Sequence, residues 1–177
     1  MPLEQLWATW RSNYVRGLDD SRTQVPEGEP DDGRSLFERI LGSGADDSET
    51  LIVHRGAECF AILNRFPYTA GHMMVLPNRA VADLEQLTAS EERELWAMVR
   101  DSVVALKAAL RCHGVNVGLN LGSVAGGSQS DHIHVHAVPR WEGDANFMSV
   151  ASETRVIPVS LDESWRLIRD AWPAPDC

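Results

Sequence analysis

Three histidines alternate with apolar residues near the C-terminal third of the chain, where residues 132–141 read His-Ile-His-Val-His-Ala-Val-Pro-Arg-Trp. Successive side chains of an extended strand point to opposite faces, so His132, His134 and His136 are predicted to share one face, about 6.6 Å apart. An imidazole with an ordinary pKa near about 6.5 can attack phosphorus, transfer a proton or bind a metal. The pattern therefore predicts a chemically active face.

Three interpretations of this face compete. Three histidines buried for structural reasons would each need partners for their ring nitrogens, which makes that interpretation the weakest. Two of them could bind a zinc ion, with Asp131 or His72 as a further ligand. Alternatively, one neutral imidazole attacks the α-phosphorus of a nucleotide while a second donates a proton to the leaving group.

A glycine-rich loop precedes the histidines and favours phosphorus chemistry. Residues 122–128 read Gly-Ser-Val-Ala-Gly-Gly-Ser. Such a loop can bring backbone N–H groups and a hydroxyl close to phosphate oxygens. It lacks the Lys-Ser/Thr ending of a P-loop, so it indicates phosphate binding of another kind.

The longest predicted helix starts at Thr88, since Thr-Ala-Ser-Glu over 88–91 matches a capping box. Apolar residues at helical spacing run from Leu95 to Leu110, and Gly114 is expected to end the helix. Elsewhere we expect helices over 35–41 and 161–172, the latter ended by Pro173, and strands over 50–53, 59–63, 72–76, 115–121 and 131–138. This order predicts an α+β fold with a mostly antiparallel sheet.

The length and composition of the chain restrict the classes of function that it can have. A length of 177 residues with 44% hydrophobic content fits one domain with a real core. A net charge of −10 argues against nucleic-acid binding. We expect no signal peptide and no membrane span. The three scattered cysteines favour reduced thiols in the cytoplasm.

The chain resembles the histidine triad (HIT) family. Residues 132–138 match its pattern of three histidines separated by apolar residues, residues 63–72 (Leu-Asn-Arg-Phe-Pro-Tyr-Thr-Ala-Gly-His) look like its first nucleotide-contacting segment, and residues 120–122 look like its phosphate loop. The resemblance implies a HIT-type fold with one long helix and terminal helices. It covers about residues 35–150.

We divide the chain into a HIT domain over 34–150, on the basis of the resemblance, an N-terminal helix and loop extension over 1–33, and a C-terminal helical extension over 151–177 packed on the same domain. Within the family, the chain is most similar to the branch of bacterial diadenosine tetraphosphate phosphorylases. Family membership also implies a homodimer. Many members carry a Cys-x-x-Cys zinc knuckle, but the matching residues 35–38 read Ser-Leu-Phe-Glu, which argues against a structural zinc.

The family's catalytic roles transfer to four histidines. His134 is implied to be the nucleophile, while His136 contacts the α-phosphate and assists the leaving group. His132 is implied to orient the others through hydrogen bonds. His72 is expected across the pocket, near the phosphate.

The implied substrate contacts lie in three places. Asn64 is expected to hold the ribose hydroxyls. Asn120, Gly127 and Ser128 are expected to bind phosphate oxygens. Trp141 could donate its indole N–H to a distal phosphate, or it could simply pack at a strand end.

These roles imply nucleotidyl transfer from dinucleoside polyphosphates, with phosphate or water as the acceptor; phosphate would yield ATP and ADP from diadenosine tetraphosphate. No cofactor is required, although a divalent cation can accompany the substrate. Two activities remain open beside the phosphorylase: hydrolysis of dinucleoside polyphosphates or nucleoside phosphoramidates, and a metal-dependent hydrolase. A nucleotide-binding sensor with little turnover is the alternative of another class.

Overall fold

The fold is a mostly antiparallel sheet packed against helices. It is described by a computed structural model for residues 33–125, 129–144 and 157–174. Within these ranges, and apart from single 3-10 turns, the elements follow the order α1 (Leu36–Leu41), α2 (Asp47–Thr50), β1 (Ile52–Arg55), β2 (Cys59–Leu63), β3 (Met73–Pro77), α3 (Ala89–Leu110), β4 (Gly114–Leu119), β5 (Val135–Arg140) and α4 (Leu161–Asp170). The predicted α+β class is confirmed.

The five strands lie in the order β1-β2-β3-β5-β4, and all neighbouring pairs are antiparallel. His136 on β5 lies opposite Met74 of β3 on one side and Gly118 of β4 on the other. An inner strand is hydrogen-bonded along both edges, so the backbone at His136 is held firmly. β4 forms an edge of the sheet.

The long helix α3 begins as predicted, with a capping box between Thr88 and Glu91. Its buried face packs on β2, β3 and β5, and α4 packs on α3 and β1. The predicted end of α3 at Gly114 is wrong. Arg111 ends the helix in the left-handed conformation, with φ of 51°, and Gly114 instead starts β4.

The prediction of one histidine strand over 131–138 is also wrong in its start. β5 begins at Val135, so His132 and His134 precede it and only His136 belongs to it. The reason is that the backbone N–H of Ile133 donates to the carbonyl of Val81, at 2.6 Å, which draws this segment toward the loop after β3.

Gly71 positions the start of β3. Its φ is +73°, and a Cβ at this position would collide with the side chain of Leu110 on α3. Glycine alone meets both conditions, the left-handed backbone and the close approach to the helix. The next residue, His72, is thereby brought into the interior, where it is fully buried.

The predicted N-terminal extension falls outside the described residues except for Gly33, and the C-terminal extension is described over 157–174. The domain boundaries at 33/34 and 150/151 stay predictions. Within the described parts of the chain, none of the helices has the length and apolar character needed to cross a lipid bilayer.

Candidate active site

His132 is buried and has partners on both ring nitrogens. Its Nε2 lies 2.9 Å from the carbonyl oxygen of Pro77, and its Nδ1 lies 2.8 Å from Oγ of Ser35. A carbonyl only accepts, so the proton of the neutral ring is on Nε2 and the Ser35 hydroxyl donates to Nδ1. Burial is the main cause that lowers the pKa of His132, and the ring is therefore neutral at pH 7.

His134 is oriented by the backbone of His132. Its Nδ1 lies 2.8 Å from the carbonyl oxygen of His132, so Nδ1 carries the proton and donates. In the neutral ring this leaves a lone pair on Nε2. The carbonyl thus selects the tautomer in which Nε2 of His134 is a nucleophile.

His72 receives hydrogen bonds at one nitrogen and donates from the other. The backbone N–H of Tyr68 donates to its Nδ1 at 3.1 Å, and the Asn64 amide lies 3.4 Å from the same atom. Since Nδ1 accepts, the proton of the neutral ring is on Nε2, which lies 2.9 Å from Nδ1 of His136. His72 therefore donates to His136.

His136 consequently carries its own proton on Nε2. Among the described residues, this Nε2 is the buried side-chain nitrogen or oxygen that has no hydrogen-bond partner. Burial, with the nearby His134 as a smaller cause, lowers the pKa of His136 to about 4. The site thus holds a neutral imidazole whose N–H lacks an acceptor, so it can donate a hydrogen bond to an oxygen of a bound phosphate.

The two reactive rings are neighbours. The ring centroids of His134 and His136 lie 4.8 Å apart, with an interplanar angle of 80°. One ring offers a lone pair and the other an N–H, so both can act on one phosphate. This pairing of a nucleophile with a hydrogen-bond donor for the phosphate oxygens suits an in-line displacement at phosphorus.

Sequence reasoning gave no role to three residues that contact the histidines. The ring of Phe37 on α1 contacts both His132 and His134, with centroids 5.5 and 5.8 Å away. The Tyr68 ring lies 4.5 Å from that of His72, and Ser35 bonds to His132. The one local signal was Ser-x-x-Glu over 35–38, a capping-box pattern that predicts a helix start but not its partner 97 residues away.

Asn64 stabilises the turn before β3. Its side-chain oxygen accepts the N–H of Phe66 at 2.9 Å, while its amide faces His72. Ribose binding by Asn64 stays a prediction. Asn120 follows β4 and is half-buried. Gly127 and Ser128 lie outside the described residues, so their predicted phosphate contacts stay predictions as well.

Trp141 does not lie as the phosphate interpretation requires. Its indole N–H donates to the carbonyl oxygen of Leu110 at the end of α3, at 3.3 Å, and its ring packs against the core. The donor intended for a distal phosphate is therefore used within the fold. The structure supports the alternative, in which Trp141 packs at the strand end.

The metal interpretation finds little support in the arrangement of the ligands. The residues that the structure describes include no cluster of three or more His, Cys, Asp or Glu side chains placed to hold a metal ion. His72 and His136 are bonded to each other, and His132 is bonded to Ser35 and Pro77. A metal would have to displace these hydrogen bonds.

Comparison with known proteins agrees with this geometry. A family model described as the HIT domain matches residues 46–143. The protein named AP-4-A phosphorylase of Mycobacterium tuberculosis is 41% identical over 170 residues, which cover 96% of this chain and 85% of that protein. The asymmetrical bis(5'-nucleosyl)-tetraphosphatase of Schizosaccharomyces pombe is 36% identical over 84 residues, or 48% of this chain and 46% of that protein.

Solved structures share the fold. A HIT-like protein from Bartonella henselae superimposes with a TM-score of 0.62 at 21% identity, covering 79% of this chain and 98% of that one. A zinc-bound histidine triad family protein from Mycobacterium smegmatis gives 0.62 at 25% identity, covering 77% and 91%. The predicted HIT-type fold is confirmed.

Proposed function

The chain belongs to the HIT domain family, and we propose that it is a nucleotidyl transferase that acts on dinucleoside polyphosphates through a covalent nucleotidyl-histidine intermediate. The preferred substrate is diadenosine tetraphosphate and the preferred acceptor is inorganic phosphate. The substrate class follows the relative that is similar over nearly the whole chain, the AP-4-A phosphorylase. The observation that carries the chemistry is the adjacent pair of a free lone pair on His134 and a free N–H on His136.

In the first step, Nε2 of His134 attacks the α-phosphorus, and the bond from that phosphorus to the bridging oxygen breaks. The leaving oxygen, which belongs to ATP, departs as an anion and accepts a hydrogen bond from the Nε2–H of His136, while His134 keeps its own proton on Nδ1, which donates to the carbonyl of His132. AMP is left bound to His134. Splitting one displacement into two in this way is the benefit of a covalent nucleophile.

In the second step, an unprotonated oxygen of inorganic phosphate attacks the same phosphorus, the bond from that phosphorus to Nε2 of His134 breaks, and the Nε2–H of His136 again donates a hydrogen bond to the phosphate oxygens. The products are ADP and free His134. Backbone N–H groups of the loop 122–128, with Asn120, Gly127 and Ser128, are proposed to hold the phosphate oxygens, and Asn64 the ribose. Donors fixed in advance around the developing charge lower the barrier without reorganising at the moment of reaction.

These steps require no metal, and a divalent cation can accompany the polyphosphate. Turnover of diadenosine tetraphosphate should therefore remain measurable after EDTA has removed divalent cations. A complete loss of activity that added zinc restores would instead support the metal-dependent hydrolase.

The sheet edge supports a homodimer. β4 ends the strand order, and Val117 in its middle is 44% exposed. An exposed apolar edge strand is a ready template for pairing with a second copy. We place the enzyme in the cytoplasm, where its buried free thiols Cys59 and Cys112 stay reduced. Light scattering on the purified protein tests the dimer.

Product analysis tests the proposed reaction. Diadenosine tetraphosphate is incubated with the protein, with and without inorganic phosphate, and the nucleotides are separated by chromatography. ATP with ADP, formed only when phosphate is present, supports the phosphorylase. ATP with AMP in either condition identifies a hydrolase, and binding without conversion identifies a sensor.

A further inference from the structure

The N-terminus of α1 is tied to two other parts of the chain. Oγ of Ser35 accepts the backbone N–H of Glu38 at 3.1 Å, and the Glu38 carboxylate accepts the N–H of Ser35 at 2.8 Å. The same carboxylate accepts the N–H of Ala80 at 3.0 Å. This capping box therefore also connects α1 to the segment that follows β3.

The Ser35 hydroxyl donates a hydrogen bond as well as accepting one. A hydroxyl has one proton and two lone pairs. One lone pair accepts the N–H of Glu38, and the proton goes to Nδ1 of His132 at 2.8 Å. Ser35 is 6% exposed and His132 is fully buried, so water does not compete for this bond.

The bond leads directly to the nucleophile. The Ser35 hydroxyl and the Pro77 carbonyl fix the ring of His132 from opposite nitrogens. The backbone carbonyl of His132 in turn accepts a hydrogen bond from Nδ1 of His134. Phe37, two residues after Ser35, packs on the rings of both histidines and braces the same segment.

We propose that Ser35 is a positioning residue, whose hydroxyl holds His132 in place and thereby aligns Nε2 of His134 for attack. The proposal rests on the function proposed above. It goes further by giving α1, which carries no histidine, a defined part in the reaction. An ordinary helix cap would stabilise α1 without affecting the rate of the chemical step.

The kinetic test compares two Ser→Ala changes at helix N-caps. Ser35→Ala removes the hydrogen bond to His132. Ser160→Ala removes the N-cap of α4, where the exposed Ser160 hydroxyl accepts the backbone N–H of Glu163. Both variants lose a cap, which costs about 1 kcal/mol of folding free energy. Only Ser35→Ala is expected to lower kcat, by about ten- to a hundredfold, as displacements of about 1 Å do, with KM nearly unchanged. Ser35→Thr, which keeps the hydroxyl, should recover most of the lost kcat.

Equal kcat values for the folded Ser35→Ala and Ser160→Ala proteins would overturn the proposal. So would a loss in Ser35→Ala that appears only in KM. If the wild-type protein converts no dinucleoside polyphosphate, the proposed function fails instead. Nuclear magnetic resonance then decides the positioning role by itself.

In the wild-type protein, ¹⁵N spectra should show His132 protonated on Nε2 with an accepting Nδ1, and a slowly exchanging Ser35 hydroxyl proton close to the His132 ring. In Ser35→Ala the ring signals of His132 and His134 should shift, while those of His54 and His113 stay in place. A rapidly exchanging Ser35 hydroxyl, or unchanged His134 signals in the variant, would contradict the proposal even if the variant is unstable.

Discussion

Nε2 of His72 donates its hydrogen bond to Nδ1 of His136 across 2.9 Å, although 64 residues separate the two in sequence. The direction of this bond is set by the backbone N–H of Tyr68, which can only donate and therefore makes Nδ1 of His72 an acceptor. The result is that the proton of His136 lies on Nε2, the atom that lacks a partner among the described residues.

His136→Ala should impair the departure of a leaving oxygen that carries concentrated charge more than the departure of one whose charge is delocalised. With diadenosine tetraphosphate as substrate, we expect kcat to fall by about 10²- to 10³-fold, the loss typical when one hydrogen-bond donor to a developing oxyanion is removed. A p-nitrophenyl ester of AMP, whose leaving group spreads its charge over the nitro-aromatic ring, should lose less. Single-turnover kinetics on both substrates would measure this, and an equal loss on both would contradict a hydrogen bond from His136 to the leaving oxygen.

His72 is expected to matter through the hydrogen that it donates. In His72→Gln the side-chain amide can still donate to His136, whereas in His72→Leu the bond is lost. Losing a buried hydrogen-bond partner costs about 1–3 kcal/mol, so we expect kcat of the Leu variant to fall roughly five- to 150-fold and that of the Gln variant to fall less. Steady-state kinetics of the two folded variants provide the comparison, and identical values would show that the bond itself is not used.

Folding stability should decrease as the solution is acidified from about pH 6.5 toward pH 4. Burial lowers the pKa of His54 and His132 and lowers that of His136 to about 4. The unfolded chain, with histidines near about 6.5, therefore binds more protons in this range, and proton uptake favours unfolding. The contribution of these neutral, buried histidines to stability is complete above their pKa in the unfolded chain. It is lost as the pH falls toward their pKa values in the folded protein.

Urea unfolding at several pH values between 7.5 and 4.5 tests this dependence. Carboxylates contribute mostly lower in pH, since the ion pair with Arg79 lowers the pKa of Glu91 to about 2. His136→Ala serves as the control, because its stability should vary less steeply with pH. A wild-type protein that is equally stable at pH 7.5 and 5, or more stable at pH 5, would contradict the neutral, buried state of these histidines.

Trp141→Phe should change stability but not catalysis. The phenyl ring keeps most of the packing against the core, while the hydrogen bond from the indole N–H to the Leu110 carbonyl is lost. We expect a loss of about 1 kcal/mol in unfolding free energy and unchanged kcat and KM for the dinucleoside polyphosphate. A strongly raised KM in a fully folded variant would restore the phosphate role for the indole.

Local patterns in the sequence predicted the elements well where one local interaction determines them. The capping box at Thr88 and Glu91 predicted the start of α3, and the apolar spacing predicted its buried face. The end of α3 was missed because Arg111 adopts the left-handed conformation that glycine usually takes. The start of β5 was missed because a tertiary bond, from Ile133 to Val81, displaces the preceding residues.

The candidate active site, like the fold, could be predicted from the sequence only in part. The alternation of His132, His134 and His136 identified the reactive segment without any structure. The tautomers could not be read from the sequence, because each is determined by a distant or backbone partner: Pro77 for His132, and His72 for His136. The choice between the two roles of Trp141 could not be made from the sequence for the same reason, since nothing local shows that the end of α3 lies beside it.

The most direct test of the account traps the covalent intermediate. The protein is mixed with diadenosine tetraphosphate labelled at the α-phosphorus, quenched under alkaline conditions that preserve phosphoramidates, digested and analysed by mass spectrometry. We predict AMP on the peptide that contains His134, and its absence from a His134→Ala protein that still binds nucleotide. Label on another residue, or no label during rapid turnover, would contradict His134 as the nucleophile.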